Sequence, residues 1–226
     1  MAKKKETWEP IIIEGREISR TWWGRAWCQN LDRYADYDNR LPRGKTYVRK
    51  GAVRDLKIEE GVIRGRVQGS RPHPYKVEIH VKPLPEEKVK RIEETCSEKF
   101  ESMDQFLKGE FPKEFQDFFT ATDLGLFPSM REISFGCSCP DWAVICKHVA
   151  SVIYGVGRKL DDDPLLLFRL RGVDTDRLSG KIISRALDEM LEKTMLPLPE
   201  GREMDIREAS ELFGIDSYDE AKLNDD

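Results

Sequence analysis

Residues 136–150 read Gly-Cys-Ser-Cys-Pro-Asp-Trp-Ala-Val-Ile-Cys-Lys-His-Val-Ala. Cys137, Cys139, Cys146 and His148 thus place three thiols and an imidazole within twelve residues. Thiolate and imidazole are the donors zinc takes in tetrahedral sites, and four of them close its coordination shell. Six residues separate Cys139 from Cys146, enough for the chain to turn and bring both pairs to one point. An apolar helix starting at Lys147 would carry His148 in its first turn. The spacing predicts one bound Zn2+ ion. The competing reading is a set of buried, inert cysteines beside a surface histidine. Against it, three of the five cysteines and one of the three histidines share this window.

Little else in the chain suggests catalysis. A catalytic zinc keeps an open position, whereas four protein ligands leave none. The spacing is not the Cys-x-x-Cys of dithiol enzymes. There is no Ser-His-Asp or Cys-His nucleophile pattern, and Gly44-Lys45 lacks the spacing of a phosphate loop. His73 and His80 stand apart from other ligand types. Asp141 reads as a loop or capping residue rather than a base. The expectation is a binding protein, not an enzyme.

Arg43, Lys45, Arg49, Lys50 and Arg54 crowd one segment around Tyr47, and Arg64, Arg66 and Arg71 follow. Cations interleaved with an aromatic ring suit a nucleic-acid backbone, and these eight are the candidate contacts. They also suit an ordinary solvated face. Trp22, Trp23 and Trp27, beside Arg20 and Arg25, suit either a stacking platform or the buried face of a helix.

The whole chain has 226 residues, with 38 basic and 42 acidic side chains. Charged residues make up 35% and aromatics 9%, so the protein is highly charged yet able to fill a core. Charge is uneven. Residues 1–80 hold 18 basic and 11 acidic side chains, whereas residues 161–226 hold 9 and 18. The basic front suits phosphate and the acidic rear does not. Five unevenly spaced cysteines do not make a disulfide framework. No apolar run approaches a membrane span, and the basic start is not followed by a signal-peptide core. A cytoplasmic location is expected.

The elements needed to hold the four donors can be read from periodicity. Thr21 caps a helix with Trp23, Trp27, Leu31 and Tyr34 on one face, ending in a turn at Leu41-Pro42-Arg43-Gly44. Ile11–Ile13 reads as a short strand. Ala52–Ile58 and Val62–Gly69 form a hairpin, and Tyr75, Val77, Ile79 and Val81 alternate along a half-buried antiparallel strand. Helical patterns follow over 89–107 and after Pro112, then a strand over Met130–Phe135. Val149, Val152, Ile153 and Val156 share a helical face. Asp161-Asp162-Asp163-Pro164 starts another helix with Leu165–Leu170 as its body. Leu178 to Leu191 carries the strongest helical period, and Ile206–Phe213 a last one. The fold class is α+β: an N-terminal helix and small antiparallel sheet (1–84), inserted helices (85–129), the zinc segment (130–158), a C-terminal helical region (159–214) and an acidic tail (215–226).

Cys-x-Cys, a spacer, then Cys-x-His running into an apolar helix resembles the SWIM-type zinc finger. Cys137-Ser138-Cys139-Pro140-Asp141-Trp142 and Cys146-Lys147-His148-Val149 are similar to its two halves. Trp22–Trp27, Arg43-Gly44, Val67–Arg71 and Leu165–Arg171 resemble prokaryotic SWIM proteins that accompany Swi/Snf-type helicases. The resemblance implies zinc binding, with roles in DNA binding and protein interaction; joined to the basic front, it gives the expectation of a chain that binds DNA or RNA, DNA before RNA, as a helicase accessory. A zinc-stabilised protein–protein adaptor without nucleic-acid binding is the alternative. Ile145 stands where such proteins often have proline, a departure that leaves the ligands in place.

Overall fold

In the computed structural model, Lys147–Asp162 is a helix buried on almost every side, and the rest of the fold is arranged around it. The structure describes residues 8–34, 36, 39–100, 105, 111, 114–121 and 125–195. Among these, seven helices and four strands make a mixed α+β protein. In chain order they are α1 (Trp22–Asp32), α2 (Arg40–Arg49), β1 (Val53–Glu59), β2 (Val62–Val67) and β3 (Tyr75–Val81), followed by α3 (Glu86–Lys99), α4 (Glu114–Thr120) and β4 (Ile133–Cys137), then α5 (Lys147–Asp162), α6 (Leu165–Leu170) and α7 (Thr175–Met195). The chain divides into two compact units, Met1–Ala186 and Leu187–Asp226. The Ile206–Phe213 helix and the acidic tail lie outside the described residues. No described helix is long and apolar enough to cross a membrane.

The four strands form one antiparallel sheet in the order β1-β2-β3-β4. On β3, Tyr75, Val77, Ile79 and Val81 are buried and the residues between them exposed, as strict alternation requires. The β1–β2 turn is Glu60-Gly61, with Gly61 at φ +69°. The buried sheet face packs on one side of α5, and α1 and α2 pack on its other side. Being covered from both sides, α5 is apolar nearly all round: Val149, Val152, Ile153, Tyr154 and Val156 are all buried.

The helix-to-helix contacts are close because small residues meet there. A β-carbon on Gly24 would lie 2.5 Å from the carbonyl oxygen of Gly157, so α1 and α5 touch through their backbones. Gly65 on β2 similarly admits Val152. Thr21 caps α1, accepting from Gly24 N at 3.3 Å. The indole N–H groups of Trp23 and Trp27 donate to the carbonyls of Leu160 and Ile153 on α5, at 2.8 and 3.0 Å. Trp22 stacks on Phe119, and Trp23 meets Phe111 edge-on. Trp27 is a core residue, and Trp22 and Trp23 are half-buried against the core, an arrangement that fits the buried face of a helix better than a stacking platform.

Several local expectations change. Residues 41–44 are not a turn but the first half of α2. Pro42 is tolerated in its first turn, where no helical N–H bond is lost, and Gly44 faces Ala150 of α5. Ile11 forms no strand, although it is buried and gives its N–H to Val53 O at 3.1 Å. The fourth strand starts at Ile133 rather than Met130 and runs as far as Cys137. Asp161 and Asp162 end α5 instead of starting α6.

Candidate metal centre

Cys137 ends β4, Cys139 follows two residues on, and Cys146 and His148 open α5. Cys137 is the last residue of β4 and sits opposite Val77 of β3. Ser138 is tied twice to Lys76: its N–H donates to Lys76 O and its hydroxyl accepts from Lys76 N, both at 2.9 Å. That double tie fixes the Cys-x-Cys step against the sheet. Cys146 is the N-cap of α5, its sulfur accepting from Val149 N at 3.5 Å. His148 follows in the first turn and is buried.

The ligand atoms of Cys137, Cys139, Cys146 and His148 all lie within 4.8 Å of one another. The Cys139 and Cys146 sulfurs are 3.6 Å apart, and His148 Nδ1 is 3.9 Å from Cys137 Sγ and 4.0 Å from Cys146 Sγ. A tetrahedral zinc with Zn–S near 2.3 Å and Zn–N near 2.0 Å sets donors about 3.6–3.8 Å apart. The donor set and its spacing fit a metal ion held through three sulfurs and Nδ1. His148 Nε2, on the far side of the ring, is buried with no hydrogen-bond partner. A neutral ring bound through Nδ1 carries its proton on Nε2.

Electrostatics favour a thiolate at the helix start. The Cys146 thiol is pushed down to about 4, first by hydrogen bonding with Cys137 and further by His148 and the Val149 amide. The Cys137 thiol is pushed up by the same hydrogen bond and by burial, and that of Cys139 by burial. A cation at the centre offsets the mutual repulsion of three thiolates.

The loop between the ligand pairs is pinned from outside. Asp141 Oδ1 accepts from Ala143 N at 3.3 Å and from Arg40 of α2 at 3.2 Å. Asp36 accepts from Val144 N at 2.9 Å and Ile145 N at 3.3 Å. A proline at 145 would have no N–H to give, so Ile145 gains a bond there. Asp141 holds a loop, as its position suggested. Asp36 has no local sequence signal, because its role depends on a contact 108 residues away.

Aromatic rings and cations surround His148. Its ring lies 4.4 Å from Tyr75 and 5.5 Å from Tyr47. Lys147 Nζ sits over Tyr47 at 5.4 Å, and the Arg71 guanidinium over Tyr75 at 5.7 Å. Arg43 and Lys50 are exposed and share a helical face with Tyr47, at steps of four and three. Among the described residues, neither Arg43, Lys50, Arg71 nor Lys147 makes an ion pair.

The other candidate cations lie elsewhere. Lys45 is 3.7 Å from Asp32 and over the Tyr154 ring, and Arg49 donates to Arg16 O at 2.9 Å. Both line a cleft of about 320 Å³ with Arg16, Arg25 and Cys28. Arg54 is exposed on β1. Arg64 pairs with Glu59 and Glu78, and Arg66 with Asp55, on the outer sheet face. His80 stands beside Glu78, and neither it nor His73 joins the metal cluster. Cys28 and Cys96 are free thiols away from it, and burial raises the Cys28 thiol to about 12.

No family model matches the chain, and no solved structure matches it. It is similar to the uncharacterized protein Rv2102 of Mycobacterium tuberculosis, with 35% identity over 172 residues. That stretch is 76% of this chain and 62% of the relative, so the chain spans less than two thirds of that protein's length.

Proposed function

We propose that this chain is a zinc-organised module of the SWIM type that binds nucleic acid, DNA in preference to RNA, as an accessory to a Swi/Snf-type helicase. The observation that carries the reading is the run Lys147–Tyr47–His148–Tyr75–Arg71, cations over rings that pack on a metal-ligand imidazole. Binding zinc at His148 orders the face that meets phosphate. Four protein ligands close the metal's coordination, so its role is structural and no reaction is assigned to it. Arg43, Lys50, Arg71 and Lys147 supply charge that no carboxylate among the described residues neutralises. Arg64 and Arg66, paired with Asp55, Glu59 and Glu78, contribute less.

The test is binding of a labelled mixed-sequence duplex to the zinc-loaded chain across a salt series. Four engaged phosphates give a slope of log K against log salt of about −3.6. Absence of binding at low salt would overturn the reading. The adaptor alternative has one observation in its favour. In the second unit Leu187, Met190 and Leu191 on α7 are each more than half exposed. Apolar docking there would show little dependence on salt.

A further inference from the structure

The cleft of about 320 Å³ that Lys45 and Arg49 line is built from four parts of the chain. Arg25, Cys28 and Asp32 reach it from one face of α1, at steps of three and four, and Lys45 and Arg49 from one face of α2. Tyr154 of α5 is buried and forms part of the lining, and residues 16–19, ahead of α1, complete it. The volume falls at the small end of the range for small-molecule sites.

Arg16, Arg25, Lys45 and Arg49 stand in this lining against two carboxylates, Glu17 and Asp32, which leaves an excess of two positive charges. Asp32 is already engaged: it accepts from the Tyr154 hydroxyl at 2.7 Å and lies 3.7 Å from Lys45 Nζ. Two of the guanidinium groups are held by main chain instead. Arg25 donates to Arg20 O at 2.6 Å, and Arg49 to Arg16 O at 2.9 Å. A carbonyl positions a guanidinium without neutralising it and leaves it further N–H donors. Among the described residues, none of Arg16, Arg25 and Arg49 pairs with a carboxylate. Cys28 adds no charge, because burial raises its thiol to about 12. A phosphate monoester carries about two negative charges at neutral pH and three strong acceptor oxygens, whereas a backbone diester carries only one charge. Guanidinium forks match those oxygens, and Ile18 and Tyr154 give a small organic body apolar surface to rest on.

We infer that this cleft is a binding site for a phosphate monoester, held by Arg16, Arg25, Lys45 and Arg49. None of Arg43, Lys50, Arg71 and Lys147 lines it, so the inference stands or falls apart from the duplex-binding reading above. The test is titration calorimetry of the zinc-loaded full chain with inorganic phosphate at about pH 8, where the probe is a dianion, in chloride buffer of constant ionic strength. One saturable site is expected. Arg16→Gln combined with Arg49→Gln weakens it about tenfold, whereas Arg91→Gln, an exposed position on α3 outside the cleft, leaves it unchanged. Arg16 and Arg49 are exposed, and zinc content and helical circular dichroism equal to the parent's show that the variant folds. No saturable binding, or equal weakening by Arg91→Gln, overturns the inference. Competition then identifies what carries the group. A mononucleotide that displaces phosphate where its nucleoside does not supports a free small molecule. A 5′-phosphorylated single strand that displaces it where the 5′-hydroxyl strand does not supports a strand end. If the two strands compete equally, the cleft takes backbone diesters and the monoester assignment is overturned. If neither the mononucleotide nor the phosphorylated strand displaces phosphate, the site takes the inorganic ion alone, and the assignment is overturned as well.

Discussion

Gly44 of α2 faces Ala150 of α5 with no room between them: a β-carbon on Gly44 would overlap the Ala150 methyl and come 3.0 Å from its carbonyl carbon. The close approach sets how near α2 lies to the metal centre. Arg40, Arg43 and Tyr47 all ride on that helix, and Tyr47 packs on His148.

Gly44→Ala is therefore expected to destabilise the chain, although alanine is the better helix former. Helix propensity favours the change by about 1 kcal/mol. Overpacking against a buried helix costs about 1–3 kcal/mol, and here the obstruction includes backbone. Urea denaturation of the zinc-loaded variant should show a lower midpoint with unchanged slope. A midpoint equal to the parent's would mean that α2 yields freely and does not brace the site.

The same pair of residues shows which parts of the fold could be read from the chain and which could not. The four donors and the helix after them were legible because the signal is local: ligand spacing, then an apolar period of three and four. The alternation of β3 was legible for the same reason. Helix α2 was not, because Pro42 and Gly44 signal a turn in isolation, and only Ala150, more than a hundred residues away, gives Gly44 its purpose. Likewise Asp36, Ser138 and Arg40 act on the metal loop through long-range bonds that leave no mark on neighbouring residues. The basic cluster was legible as charge but not as surface. Folding sends Arg64 and Arg66 to carboxylates and sets Arg71 and Lys147 over the two rings that flank His148.

Metal removal should act first at the start of α5. Cys146 caps that helix and His148 lies in its first turn, so ligand loss and helix fraying are one event. Cys146→Ser and His148→Ala are each expected to abolish retention of zinc and to lower the thermal midpoint. Elemental analysis of protein purified without added metal, with amide exchange over 147–155, checks both. Freshly purified parent chain without zinc, and with all three thiols freely titratable, would refute the assignment.

Asp161 gives an acid-dependent contribution. It accepts from the hydroxyls of Ser19 and Thr21 and from the N–H groups of Arg20 and Thr21, joining the end of α5 to the start of α1. Burial tends to raise its carboxyl, but the bonds from Thr21, Ser19 and Arg20 outweigh it and hold it below the usual carboxylate range. A depressed folded-state value means that the stabilisation is complete above the unfolded value of about 3.9 and is lost as pH falls through the folded one. Asp161→Asn should cost about 1–2 kcal/mol at pH 7, and the gap to the parent should narrow on acidification below about pH 4. A gap equally wide at pH 3 and pH 7 would show that the charge is not what matters.

The last expectation separates two groups of cations that look equivalent in the sequence. Arg71 and Lys147 stand over the two rings that pack on His148, Arg43 lies one turn before Tyr47 and Lys50 three residues after it, and none of the four has an acidic partner among the described residues. Arg64 and Arg66 lie on the outer sheet face against Asp55, Glu59 and Glu78. A phosphate approaching the second group must compete with those carboxylates and meets a face of nearly balanced charge. Changing the first four to glutamine should weaken duplex binding at low salt and lower the salt slope by about 0.9 for each phosphate no longer engaged. Changing Arg64 and Arg66 should leave the slope within about half a unit of the parent's. All six are at least partly exposed, so stability should move by no more than about 0.5 kcal/mol per residue in either set. Equal weakening from both sets would place the binding surface on the sheet as well, and weakening from the second set alone would move it away from the metal centre altogether.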